Sequence, residues 1–338
     1  MLDLVDRWPM LDAWRARDFF ARYVAGDPRF DPRDVWIAER DGAPLACVQI
    51  FPKRMVMRGK SVPMAGIGTV FTDPEHRGRG LAGAVMRAAM DDMRGRGLEL
   101  GLLFAGPVPF YEALGWRVWP VRRPLLRPPA GGDPAALGRA ERFDAARDLA
   151  EVQEIHARYS LRRDGTCLRD SQAWWTGLRN AGNPGEEFLV ARAGGRVRAY
   201  LRATGLARFL VIMEWGRDDD AAADLADLFA AALTPREGDA LAPAERPTRE
   251  FRSVASATPL LDEPLERALA ERGIGVQHAD DGRGMFWVPQ PEALAHRFGE
   301  PYRRRDTGDL DPPGARETDL LRRILPPERF GFWEADRF

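Results

Sequence analysis

Six consecutive residues, Arg77-Gly78-Arg79-Gly80-Leu81-Ala82, carry the clearest chemistry in the chain. Gly78 and Gly80 have no Cβ, so the backbone there can take positive φ and approach a ligand closely, while the free N–H groups of a helix starting at Leu81 point outward. Such a turn suits an anion, and phosphate best. The flanking residues supply the frame. Gly66 to Phe71 reads as a strand, Asp73-Pro74 turns out of it, and Leu81, Val85, Met86, Ala89 and Met93 recur along one helical face. The Lys-Ser/Thr ending of a Walker loop is absent, as is the G-x-G-x-x-G spacing of a dinucleotide site. A tight strand-to-helix connection in a Gly-rich chain would look similar, so the reading needs a second motif. One follows: Leu98 to Ala105 reads as another strand and leads into Phe110-Tyr111-Glu112-Ala113-Leu114-Gly115-Trp116.

Composition bounds the rest. A chain of 338 residues is long enough for about two domains. A net charge of −1 argues against a nucleic-acid partner or a membrane surface. Among the 50 basic residues only Lys53 and Lys60 are lysines, so Arg-rich runs are not read as binding patches. Cys47 and Cys167 lack metal-ligand spacing, which fits a reducing compartment and gives no reason to expect a metal or a thiol nucleophile. The acids of the first residues do not suit a signal peptide, and no apolar run is long enough to span a bilayer. A soluble, cytoplasmic protein is expected.

Residues 11 to 25 predict a helix whose Phe20 and Tyr23 serve either the core or a substrate wall. Val35 to Arg40 and Pro44 to Phe51 predict a hairpin on Asp41-Gly42, and Met55 to Met64 another short strand. The first domain is drawn at 1–126, and the Pro/Gly-rich stretch from Arg127 to Pro134 is the linker. A second domain, 135–290, repeats the element order. It has a helix at 145–159, a helical stretch around Trp174 and Trp175, strands at 188–193, 197–203 and 208–215, a helix at 221–233, and a last strand at Met285 to Val288. Where the first domain has its Gly-rich loop, the second has Asp218-Asp219-Asp220, three carboxylates suited to N-capping and repellent to pyrophosphate. Residues 291–338 form a short C-terminal segment and tail.

Arg77-x-x-Gly80-x-Ala82 resembles the phosphate-loop signature of the GNAT superfamily of N-acetyltransferases, and Phe110-Tyr111-x-x-x-Gly115-Trp116 resembles its closing motif. The fold class expected is mixed α/β, two tandem GNAT-like domains with the second degenerate. This arrangement is similar to the enhanced intracellular survival family, although the full third domain of that family does not fit in the forty-odd residues that remain. The resemblance implies acetyl-CoA as co-substrate, with no metal. Backbone groups of Val70 and Thr72 would meet the pantetheine and acetyl carbonyl, and Arg77, Gly78, Arg79, Gly80 and Ala82 would meet the pyrophosphate. It also implies Tyr111 as general acid and the Phe338 carboxylate as general base, folded back to face Tyr111.

Alternatives remain at this stage. Tyr111 is also read as a packed aromatic, and the apolar tail as docked on the second domain or on a neighbouring chain. His76 is an alternative base or a loop brace, Glu39 and Glu112 are not placed, and Asp18, Asp27 and Asp34 are cleft acids by analogy only. The expected reaction is direct attack of a primary amine, a small cationic molecule or a lysine side chain, on acetyl-CoA. Two other readings compete with it: a CoA-binding sensor without chemistry, and an aminoacyl transferase using tRNA-borne donors. Neither nucleic acid nor membrane is expected as partner; a homo-oligomer is compatible.

Overall fold

The structure is a computed structural model that describes residues 1–9, 15–25, 30–169, 186–206, 209–235, 252, 254–303 and 314–336. Its described residues fall into two compact units, one built from 1–121 and 281–330, the other from 122–280 and 331–337. The helical stretch expected around Trp174, the acid Asp27 and the terminal Phe338 lie outside the described residues.

The first unit is organised on a six-stranded sheet of order β1-β2-β3-β4-β13-β5, with β1 at Val35–Arg40, β2 at Ala43–Met57, β3 at Lys60–Thr72, β4 at Leu100–Phe104, β5 at Arg117–Val118 and β13 at Gly284–Trp287. Two of the short strands expected from sequence are parts of longer ones. The β2–β3 ladder runs through Pro52 and Pro63; β1 and β2 turn at Asp41-Gly42 as expected, and β2 and β3 at Arg58-Gly59, all four residues at positive φ. Helix α3, Leu81–Gly95, connects β3 to the parallel β4 and buries Val85, Met86, Ala89, Met90 and Met93 against Ala46, Val48, Ile50 and Ile67. The other face of the sheet carries Cys47 and Phe71 under α1 (Leu2–Val5) and α2 (Ala16–Ala25). Phe20 belongs to this core, tilted against Trp8, which settles its choice between core and wall in favour of the core.

One strand is not where the sequence suggested. Met285 to Val288 was assigned to the second domain, but β13 lies in the first sheet, antiparallel to both β4 and β5. The boundary at 126 moves accordingly, since β6 (Val121–Arg127) already pairs in the second sheet. Trp119 and Met285 are fully buried within the first unit, so burial rather than sequence order decides the strand's place.

The second unit has a seven-stranded sheet made of β6, β7 (Glu141–Arg142), β8 (Glu187–Ala193), β9 (Arg196–Leu206), β10 (Phe209–Arg217), β11 (Ala255–Ser256) and β12 (Gly275–Asp281); its order is β12-β6-β11-β10-β9-β8-β7, and β10 pairs in parallel with β11 over only two residues. Past that short ladder, the segment Gly331–Asp336 lies between the two strands. Gly331 donates to the Asp164 carbonyl at 2.9 Å, Thr258 to the Phe332 carbonyl at 2.7 Å, and the Trp333 indole to Ser160 Oγ at 3.1 Å. Trp333 is fully buried edge-to-face on Trp215 of β10. The described part of the tail is divided: Leu320 to Phe330 belongs to the first unit, with Phe330 edge-on to Phe286, and Gly331 to Asp336 is docked on the second.

The acid run is spent differently from expectation. Asp218, Asp219 and Asp220 pair with Arg158, Arg162 and Arg198, and the helix Ala222–Leu233 begins at Ala221 without a side-chain cap. A buried ionic group sits nearby on the same sheet: Arg169 binds Glu214 at 2.6 Å and Asp336 at 3.0 Å, with His156 hydrogen-bonded to Tyr200 at 2.9 Å. Burial opposes ionisation of Glu214, yet Arg169 and Arg202 outweigh it and hold the carboxyl down to about 2. Burial, reinforced by Arg169, holds His156 down to about 3. Both groups bind fewer protons folded than unfolded, so both contribute stability at neutral pH that is lost in acid, His156 between about 6.5 and 3 and Glu214 between about 4.5 and 2. The second unit is therefore expected to lose stability steadily below pH 6. Urea midpoints across pH 7 to 4 check this, and His156→Gln should flatten the upper part of the fall.

Candidate active site

The parallel ladder between β3 and β4 ends at Ile67–Leu103. Beyond it Gly68 to Thr72 continue in β3 with a partner on the β2 side only. At the same level the β2–β3 register slips by one residue, so that Thr69 and Val70 together oppose Val48. Thr69 takes a positive φ of 51°, and the Cys47 thiol holds its carbonyl at 3.4 Å. Burial pushes Cys47 up to about 11, which makes it a neutral brace and not a nucleophile. The result is a sheet that opens at one end, with backbone groups of Val70 and Thr72 left along the opening.

The Gly-rich loop lies directly after this strand. A short 3-10 turn, Pro74–His76, is capped by Asp73 and followed by Arg77 in extended conformation. Gly78 and Gly80 take φ of 74° and 76°, and a Cβ placed on either would meet nothing within 4 Å. Space above the loop is thus open, and only conformation selects glycine. Among the described residues the N–H groups of Gly78 to Gly83 form no hydrogen bond; the first helical bond is donated by Ala84 to Gly80. Six unbonded donors at the start of a helix of fifteen residues fit a pyrophosphate. Arg77 and Arg79 are exposed and donate to the backbone carbonyls of Thr72 at 3.4 Å and Glu75 at 3.5 Å, with Arg77 also over the Phe71 ring, and neither pairs with a carboxylate among the described residues.

Tyr111 stands in the helix α4, Val108–Glu112, and its ring joins the core cluster that also contains Ala105, Val70 and Leu81. Phe110 meets it edge-on at 4.9 Å. Its position is fixed from behind. Trp116 and Leu114 donate to the Tyr111 carbonyl, Gly115 turns the chain at φ 95°, and the fully buried Trp116 ring lies against β4 where a Cβ on Gly101 would come within 2.8 Å of it. The phenol itself makes no hydrogen bond with a described residue, and burial raises it to about 12. Packing and availability therefore coexist: the ring is core and the hydroxyl is unspent.

The other acids and bases separate clearly. His76 leans on Asp73 at 3.8 Å, and Asp73 is itself paired with Arg7 at 2.6 Å, so His76 braces the loop. Asp34 is buried in an ion pair with Arg96, and burial raises its carboxyl, which removes it from the cleft acids. Glu39, Glu112 and Asp18 are exposed. One polar residue escaped the sequence reading. Gln49, in the middle of the apolar run Leu45 to Phe51, is 2% exposed and its side-chain Oε1 has no hydrogen-bond partner among the described residues; its signal in the sequence is that single amide among apolar neighbours. Among the described residues there is no cluster of His, Cys, Asp and Glu able to hold a metal ion, and no helix long and apolar enough to cross a membrane.

With the open sheet end, the helix start and the tyrosine in place, residues 13–119 match the family described as the acetyltransferase (GNAT) domain. Over these residues the chain is similar to a GNAT domain. An uncharacterized N-acetyltransferase of Streptomyces coelicolor is 32% identical over 204 residues, which is 54% of this chain and 46% of that relative. The match thus spans under half the relative's length. Among solved structures, a GCN5-related N-acetyltransferase from Anabaena variabilis superposes with a TM-score of 0.62 at 17% identity, covering 87% of this chain and 71% of the other. Eis1 from Mycobacterium abscessus gives 0.52 at 18%, covering 85% and 72%. At such identities the likeness is one of fold, and it extends over both units: two GNAT-like domains in tandem, the second without the Gly-rich loop of the first.

Proposed function

We propose that the GNAT domain binds acetyl-CoA at the open end of its sheet and transfers the acetyl group to a primary amine. One observation carries this reading: the β3–β4 ladder stops at Ile67–Leu103 while the loop leaving β3 ends in six unbonded N–H groups at the start of α3. Acetyl-CoA, a substrate rather than a resident group, supplies an activated thioester. Residues Gly78 to Ala82 hold its diphosphate through their N–H groups, with Arg77 and Arg79 adding charge. The unpaired edge of β3, at Val70 and Thr72, hydrogen-bonds the pantetheine arm and polarises the acetyl carbonyl. Attack of the amine forms the C–N bond as the C–S bond breaks; the amine proton leaves to solvent, and Tyr111 gives its phenolic proton to the departing sulfur.

Acetyl-CoA is expected to raise the melting temperature, by the equivalent of about 2.7 kcal/mol at a hundredfold excess over Kd. Gly80→Asp should abolish that shift while preserving the fold, because Asp tolerates positive φ but sets a carboxylate against the diphosphate. Calorimetric titration should give one CoA per chain, since the second unit's corresponding gap holds Trp333. No shift at millimolar CoA overturns the reading. Binding without thiol release across a panel of amines leaves a CoA-binding module without chemistry.

A further inference from the structure

We propose that Gln49 receives the acceptor amine, its side-chain carbonyl taking a hydrogen bond from the amine N–H; this rests on the acetyltransferase reading above. The Gln49 carboxamide is 2% exposed and its Oε1 is sealed from solvent without a partner. Leaving such a group unbonded costs the desolvation of the amide, and an apolar residue such as the adjacent Val48 or Ile50 would avoid that cost. A buried amide oxygen left without a partner calls for one, and a bound substrate can supply it.

Its place in the sheet says for what. Gln49 lies directly opposite Gly68 across the β2–β3 ladder. Gly68 is the first residue beyond the last β3–β4 pair, and the Thr69–Val70 bulge follows at once. Directly opposed residues share a face of the sheet with Cβ positions about 4.5–5.5 Å apart, and Gly68 brings no side chain of its own. Along β2 the faces alternate: Ala46, Val48 and Ile50 pack in the α3 cluster with Tyr111, whereas Cys47, and therefore Gln49, points to the opposite face. An acyl group lying in the opening thus has the Tyr111 cluster on one face and Gln49 on the other. That arrangement separates the two demands of the transfer, a proton donor for the sulfur and an orienting acceptor for the amine.

A carboxamide oxygen can align an N–H but cannot take the proton, so Gln49 acts by binding and orientation. In Gln49→Met, which keeps the length and apolar stem, KM for the acceptor is expected to rise about 10- to 100-fold, the loss of one hydrogen bond from a charged or partly charged donor. Acetyl-CoA affinity and the pH profile of kcat should stay as in wild type. The probes are 2-phenylethylamine, putrescine and glycylglycine, read by thiol release; Gln49→Glu, which keeps an acceptor oxygen, should bind amine better than Gln49→Met. An unchanged KM in a folded Gln49→Met protein, or a wild type that binds acetyl-CoA yet acetylates none of the three amines, overturns the proposal and leaves CoA binding standing. Failure of wild type to bind acetyl-CoA would overturn the underlying reading instead.

Discussion

Tyr111→Phe is expected to lower kcat by about 10²- to 10⁴-fold, the usual value of a positioned general acid, with little change in KM for acetyl-CoA. The substitution removes one oxygen from a ring whose packing against Phe110 and the Val70–Leu81 cluster is otherwise complete, so the fold should be indifferent. The phenol makes no hydrogen bond with a described residue that would be broken. Because burial raises Tyr111 to about 12, the acid form persists throughout the accessible range, and the wild-type profile should show no descending limb below about pH 11. The raised value also changes the energetics. A thiolate of ordinary pKa, about 8.5, would be a poor acceptor from such a phenol, so transfer demands that the sulfur be shielded from water as it leaves, which raises its own proton affinity by the same cause. Stopped-flow thiol release against pH checks both statements. An unaltered kcat in Tyr111→Phe would mean that solvent protonates the sulfur and the ring only packs.

Trp333→Ala should destabilise the second unit by about 3–5 kcal/mol, a large part of the stability of an ordinary domain. Trp333 is fully buried, crosses Trp215 with centroids 4.7 Å apart and stacks near Tyr159 at 6.4 Å; its removal also leaves Ser160 without the indole donor. Urea unfolding followed by circular dichroism measures the loss, and Trp333→Phe should recover part of it. A change below about 1 kcal/mol would show that the segment lies on the unit without being part of its core. Should Trp333→Ala bind a second CoA, the side chain would be acting as a plug in a gap still competent for the ligand.

How much of this was readable beforehand follows from the range of the interactions involved. The Gly-rich loop, α3 and the Phe110–Trp116 turn are local structures, specified by residues a few positions apart, and Gly78 at φ 74° and Gly80 at φ 76° meet the conformation their spacing implied. The bulge at Thr69 and the end of the ladder at Ile67 depend on how β3 pairs with two other strands, which no local pattern records. Met285 to Trp287 would alternate in the same way in either sheet, so its strand character was legible and its address was not. The apolar tail showed that it must be covered, but Trp333 finds its cover in contacts with Ser160 and Trp215, more than a hundred positions away. Asp218 to Asp220 misled because their type suits a helix cap, while arginines from neighbouring elements claimed all three. Gln49 was visible as a break in an apolar run; only its burial without a partner gives that break a meaning.

The insertion of β13 between β4 and β5 bears on biosynthesis and on cleavage. Residues 1–121 leave the ribosome with two sheet edges, at β4 and at β5, whose common neighbour is translated more than 160 residues later. The second unit waits in turn for Trp333. Among the described residues the polypeptide passes between the units at 121–122, 280–281 and 330–331. Consequently a fragment cut at the Pro/Gly-rich stretch after Arg127 is not an autonomous half-enzyme, and a protease that nicks the passage at 121–122 divides the chain into two pieces held together by the pairing of β13 with β4 and β5.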